Sequence, residues 1–119
     1  MKLMLENLPP SLQGQAKVIQ ECLMAFDRAM PLREIYLFGS HVRGDARSDS
    51  DVDLCLVSDG AVQQLSAAAK LRRAIREIRP KPAFTLVPIA PARLSEKQAV
   101  GDHFFQTILR EGIRIGAQD

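Results

Sequence analysis

No apolar run in this chain approaches the roughly 20 residues that a membrane-spanning helix needs. Near the start, Met1-Lys2-Leu3-Met4-Leu5 is interrupted by Glu6, which leaves no secretory hydrophobic region. Cysteine is scarce. Cys22 and Cys55 are the only two, and they lack metal-ligand spacing, so a reduced, buried state is the simplest for both. Together these absences point to a cytoplasmic protein with no membrane contact. Excess charge is lacking as well: the net value is +2, too small to announce a nucleic-acid binder. The acidic stretch from Asp45 to Asp53 does not carry the glycine at six and glutamate at twelve that an EF-hand loop requires. There is no internal repeat, no low-complexity segment and no linker. At 119 residues the chain is long enough for one domain with a real core and too short for two, so residues 1–119 are read as a single domain.

What is present concentrates between Leu37 and Val57. The pattern is strand, glycine-serine turn, polar loop and second strand. The first strand ends at Phe38 and turns at Gly39-Ser40; the second begins near Asp51. Side chains at i and i+2 of a strand share a face. Asp51 and Asp53 therefore project together, while Val52, Leu54 and Leu56 face a core. Adjacent carboxylates repel unless a cation lies between them. Hard oxygen ligands at this spacing suit Mg²⁺, which completes its shell with water and phosphate oxygens. Gly39 allows close backbone approach. A short helix starting at Ser40 would direct free N–H groups toward an anion. Turn and carboxylates together make a site for a metal-bound phosphate chain.

Gly39-Ser40-x-x-Arg43-Gly44 followed by Ser50-Asp51-Val52-Asp53-Leu54 resembles the signature of the DNA polymerase β nucleotidyltransferase superfamily, and within it the minimal nucleotidyltransferase group. The likeness extends more weakly to Ile89–Leu94 and Leu109–Ile113, and covers most of residues 33 to 116. It implies transfer of a nucleotide from a nucleoside triphosphate, ATP in the first instance, to a hydroxyl of a protein or RNA acceptor. It also implies Asp51 and Asp53 as the catalytic metal ligands. Gly39, Ser40, Arg43 and Ser50 would hold the nucleotide. The site would take Mg²⁺, two ions being possible and Mn²⁺ able to substitute. In the family a third carboxylate stands on the next strand. That position falls at Thr85 here, and no Asp or Glu occurs between Glu77 and Glu96, so catalysis is expected to be weakened. Larger superfamily members add a domain over the site. A chain ending at Asp119 should leave the site half open, for a homodimer or a helical HEPN-type partner to complete. The alternative function is accordingly a non-catalytic antitoxin or partner-binding module of a toxin–antitoxin pair.

The remaining chain reads as framework, giving an α/β (α+β) fold in the order αββαβαβ, a small mixed sheet with helices packed on it. Leu12, Ala16, Ile19, Leu23 and Phe26 predict a helix over Ser11 to Ala29, capped by Ser11 and stopped by Pro31. Arg33 to Phe38 is apolar on both faces, as a central strand is. Ala61 to Ile78 reads as a helix with Leu65, Ala68, Leu71, Ile75 and Ile78 inward. Its basic end, with Lys70, Arg72, Arg73, Arg76, Arg79 and Lys81, complements the helix dipole and reads as a solvated face. No aromatic residue interleaves with these cations, so a nucleic-acid role stays open without support. Ala83 to Ile89 is a third strand with Thr85 and Val87 on one face. Lys97 to Arg110 is a third helix with Val100, Phe104, Ile108 and possible help from Phe105 inward; Gly112 ends it as a left-handed cap. His41 in the loop is expected to face solvent, and His103 to be structural.

Overall fold

The apolar stripe near the start spans two helices. In the computed structural model, which describes all 119 residues, α1 runs Pro10–Gln13 and α2 runs Ala16–Ala29. Leu12, Ile19, Leu23 and Phe26 are fully buried along one continuous face, as the spacing requires. The chain breaks between them at Gly14 and Gln15, where glycine is a poor helix former. Pro9 occupies the cap position and Pro10 the first turn, which suits a residue without an N–H. Ser11, expected as the cap, lies inside α1, and its hydroxyl serves the loop described below.

Five strands form one mixed sheet: β1 Lys2–Leu3, β2 Glu34–Phe38, β3 Val52–Val57, β4 Phe84–Ile89 and β5 Ile113–Ala117, in the order β1-β5-β2-β3-β4. β2 is central, antiparallel to both β3 and β5; β3 and β4 run parallel. The edge position of β4 accommodates Pro88, which has no N–H for a further strand. The helices that follow are α3 Ser40–Arg43, α4 Gln64–Ala74, α5 Pro91–Ala99 and α6 His103–Glu111.

Both faces of the sheet are covered. On one, Ile35, Leu37, Val52, Leu54 and Leu56 pack against Ile19, Leu23 and Phe26 of α2 and Leu71 of α4. Phe26 meets Phe84 edge-on at 5.9 Å between ring centres. On the other, Cys55, Val57 and Ile89 pack against Leu94, Phe105 and Ile108 of α5 and α6. Each large side chain fully buried in this way contributes about 1.5–3 kcal/mol. α5 and α6 cover only part of their face and leave the Asp53 end of β3 partly exposed. No helix is long and apolar enough to cross a membrane.

Three expectations about helices are corrected. The second long helix spans Gln64–Ala74, shorter than Ala61 to Ile78, and its inward face is Ala67 and Leu71, with Leu65 86% exposed. Ala61 is buried in the preceding turn, so it sets no helical phase for Leu65. The third helix is two, because Gly101 turns the chain at φ +70, a conformation that costs glycine little. Asp102 then starts α6 by accepting a 3.0 Å bond from the Phe105 N–H. Val100 and Phe104 consequently point outward, while Phe105 and Ile108 face the core. Gly112 has φ −65 and ψ 151 and is no left-handed cap; a side chain there would strike the Ile108 carbonyl oxygen.

Candidate functional site

Asp51 sits one residue before β3, and Asp53 is its second residue. The alternation holds: Val52 and Leu54 are fully buried, Asp51 is exposed and Asp53 half-buried. Register brings the neighbours in. Asp53 pairs with Phe38, the last residue of β2, on one side and with Thr85 of β4 on the other. The Thr85 hydroxyl donates to Asp51 Oδ2 at 2.8 Å. Asp51, Asp53 and Thr85 thus form one cluster of oxygens. Burial pushes the Asp53 carboxyl above the usual range; the Thr85 hydroxyl, His41 and Arg43 oppose this, and the neighbouring Asp51 adds to it. No cluster of three or more His, Cys, Asp or Glu side chains occurs in the chain.

The turn after β2 closes onto these carboxylates. Gly39 adopts φ +85, and a side chain there would collide with the Asp53 carboxylate, its would-be Cβ lying 3.0 Å from Asp53 Cγ. Only glycine meets both conditions. Ser40 opens α3, whose first N–H groups have no acceptor within so short a helix. Gly44 ends it in the left-handed conformation. Gly39, Ser40, Asp51, Asp53 and Thr85 are therefore gathered at one end of the sheet.

The side chains of Arg43 and Ser50 make no bond to that cluster. Arg43 is exposed and forms its ion pair with Asp45 at 3.6 Å, not with Asp51 or Asp53. The Ser50 hydroxyl accepts from the Arg47 N–H at 2.8 Å and closes a turn of the loop. His41 reverses its expectation: it is 7% exposed. Its Nδ1 lies 2.8 Å from Ser11 Oγ and its Nε2 3.4 Å from the Ser50 carbonyl. His41 ties α1 to the residue before Asp51. A helix of four residues has no periodicity from which to assign an inward face, so this tie left no mark in the sequence. A cleft of about 610 Å³ lies behind the same loop, lined by His41, Arg47, Asp49, Ser50 and Lys81 among others, and does not include Asp51 or Asp53.

The model of the nucleotidyltransferase domain matches residues 19–108, three quarters of the chain and all of this site. This chain belongs to the nucleotidyltransferase domain family. Solved structures agree in fold. The domain superposes on a protein of Sulfolobus solfataricus assigned as a nucleotidyltransferase with a TM-score of 0.56 at 20% identity, covering 87% of this chain and 81% of that one. It superposes on a toxin–antitoxin complex with AMP-PNP with a TM-score of 0.52 at 22% identity, covering 84% and 74%. The toxin–antitoxin MntA–HpeT, carrying two aspartate-to-glutamate replacements two positions apart, gives 0.53 at 18%, covering 84% and 73%. No curated protein matches the nucleotidyltransferase domain described here.

Proposed function

We propose that this nucleotidyltransferase domain binds a Mg²⁺–nucleoside triphosphate, ATP in the first instance, and transfers its nucleotide slowly to a hydroxyl of a protein or RNA. The observation that carries the reading is the seating of the Gly39 backbone against the Asp53 carboxylate, beside Asp51 and Thr85. The donor set fits a hard divalent cation: it is all oxygen, two of its members are carboxylates, and burial already disfavours a bare charge on Asp53. Asp51 and Asp53 would hold the cation. When bound, it would supply Lewis-acid stabilisation of charge on the phosphate oxygens. The Gly39-Ser40 turn would receive the terminal phosphates through backbone N–H groups and the Ser40 hydroxyl. Positioning and charge stabilisation are then the chain's own contribution. Thr85 supplies a hydroxyl where a carboxylate would serve as ligand and base, and that hydroxyl is engaged with Asp51. Slow transfer follows from it. Arg43 is free to exchange Asp45 for phosphate, since an exposed ion pair contributes little.

The domain's likeness to two toxin–antitoxin structures supports a second reading, an antitoxin module whose partner is a helical HEPN-type protein, or a second copy of this chain. Two buried free thiols, pushed up to about 11 for Cys22 and about 12 for Cys55 by desolvation, suit a reducing, cytoplasmic setting. Calorimetric titration of Mg-ATP into the parent and Asp53→Asn tests the nucleotide site: the mutant should bind at least roughly ten-fold more weakly. Equal affinities would remove the metal role. Labelled ATP incubated with the domain and its partner then separates an enzyme from a binding module.

A further inference from the structure

Phe104 is a large aromatic side chain left 47% exposed at the start of α6. Its ring is nevertheless held in place. Phe38 meets it edge-to-face with centres 5.8 Å apart and planes at 86°, and Phe105 does so at 5.2 Å and 77°. Phe105 is buried and Phe38 half-buried. Two rings therefore fix Phe104 while about half of its surface stays open. Its position matters because Phe38 is the residue before Gly39 and the cross-strand partner of Asp53. Paired residues on an antiparallel ladder project to the same face, roughly 4.5–5.5 Å apart at Cβ. Phe104 is thus linked to Asp53 through one intervening side chain, the Phe38 ring. Val100, just before the Gly101 turn, is a further apolar side chain left 78% exposed.

We propose that Phe104 is the platform on which the base of the bound nucleoside triphosphate stacks, and that the substrate class is purine nucleoside triphosphates. The proposal rests on the nucleotide reading above. A stacking platform needs a ring that is fixed before the ligand arrives and still exposed, and Phe104 meets both conditions. The energy of such a contact comes from overlap of ring faces, which every base offers. Purines have the larger overlap, and a phenyl ring offers no hydrogen bond to tell adenine from guanine. ATP and GTP should therefore bind within a few-fold of each other, and both more tightly than CTP.

The test titrates ATP, GTP, CTP and inorganic triphosphate, with Mg²⁺ throughout, into the parent, Phe104→Leu and Phe104→Trp. Leucine keeps apolar contact with Phe38 and Phe105 but removes the π face. Phe104→Leu should lose about 5- to 150-fold in ATP affinity, keep its affinity for triphosphate, and melt within a few degrees of the parent. Phe104→Trp should bind ATP at least as tightly as the parent. A parent that binds triphosphate as tightly as ATP overturns the platform alone and leaves the phosphate site standing. A parent that binds neither overturns both. An equal loss of triphosphate and ATP in Phe104→Leu would make the residue structural. Unchanged ATP affinity with an altered oligomeric state would assign Phe104 to a protein contact and overturn the proposal.

Discussion

A methyl group at Gly39 would need both a left-handed backbone and the space already taken by the Asp53 carboxylate. Gly39→Ala should therefore destabilise the domain by about 1–3 kcal/mol and weaken nucleotide binding as Asp53 is displaced. Urea denaturation reads the first effect and calorimetry the second; a parent-like midpoint would mean that the turn relaxes freely. Asp53 itself carries a pH dependence. Its folded carboxyl titrates above the unfolded one, so the folded state prefers the protonated form. Metal-free stability should fall as pH rises from below the unfolded pKa through the folded one, then level off. Asp53→Asn should flatten that decline and raise the metal-free melting temperature at neutral pH. A mutant that melts lower than the parent at pH 7 without metal would point to a structural role instead. Thr85→Asp is the reverse experiment. The new carboxylate would face Asp51 and Asp53, lowering metal-free stability and restoring it with Mg²⁺. Single-turnover transfer should accelerate by ~10²–10⁴. Equal rates in mutant and parent would show that another group already fills the role.

The loop between α3 and β3 is an element held by one partly buried contact chain: Ser11 Oγ, His41 and the Ser50 carbonyl. Helix α3 is too short to be stable alone. Its position comes from Gly39, from β2 and from this chain. Ser11→Ala would leave His41 Nδ1 without its partner at a cost of about 1–3 kcal/mol. Faster hydrogen exchange in residues 44–51 than in the parent is the expected outcome, with β3 beyond Leu54 unchanged. Uniform protection in both proteins would show that the loop is held elsewhere. Asp51, directly after this loop, should lose its bond to Thr85 part of the time, so nucleotide affinity should fall without any change in the ligands themselves.

Across the whole molecule, two apolar clusters lie on opposite faces of one sheet and share strand β3. Neither face can be stripped without exposing the other side of the same strands. Unfolding should therefore be a single transition. Tyr36 is the only tyrosine and packs on the smaller cluster, so its fluorescence reports that side, while far-UV circular dichroism reports the whole. The two urea curves should coincide. Tyrosine fluorescence changing at lower urea would mean that α5 and α6 detach first, which would carry Phe104 away from Phe38.

The motif, the paired carboxylates and the mixed sheet were legible from residue order because they rest on local rules. Glycine and serine at a strand end, aspartates two apart and apolar alternation in Ile35, Leu37, Val52 and Leu54 mean the same thing in most contexts. The absence of acidic residues from β4 was legible too, since no Asp or Glu lies anywhere between Glu77 and Glu96. What escaped depends on distant partners. Leu65 and Ala67 lie two residues apart in one helix, and contact with α2 and β4 chooses which is buried. His41 is polar and loop-like until Ser11 arrives from 30 residues away. Phe104 and Phe105 are interchangeable as letters. The turn at Gly101 and the cap at Asp102 rotate one into the core and leave the other against Phe38, because a helix of nine residues has one inward face and the sheet offers one place to put it.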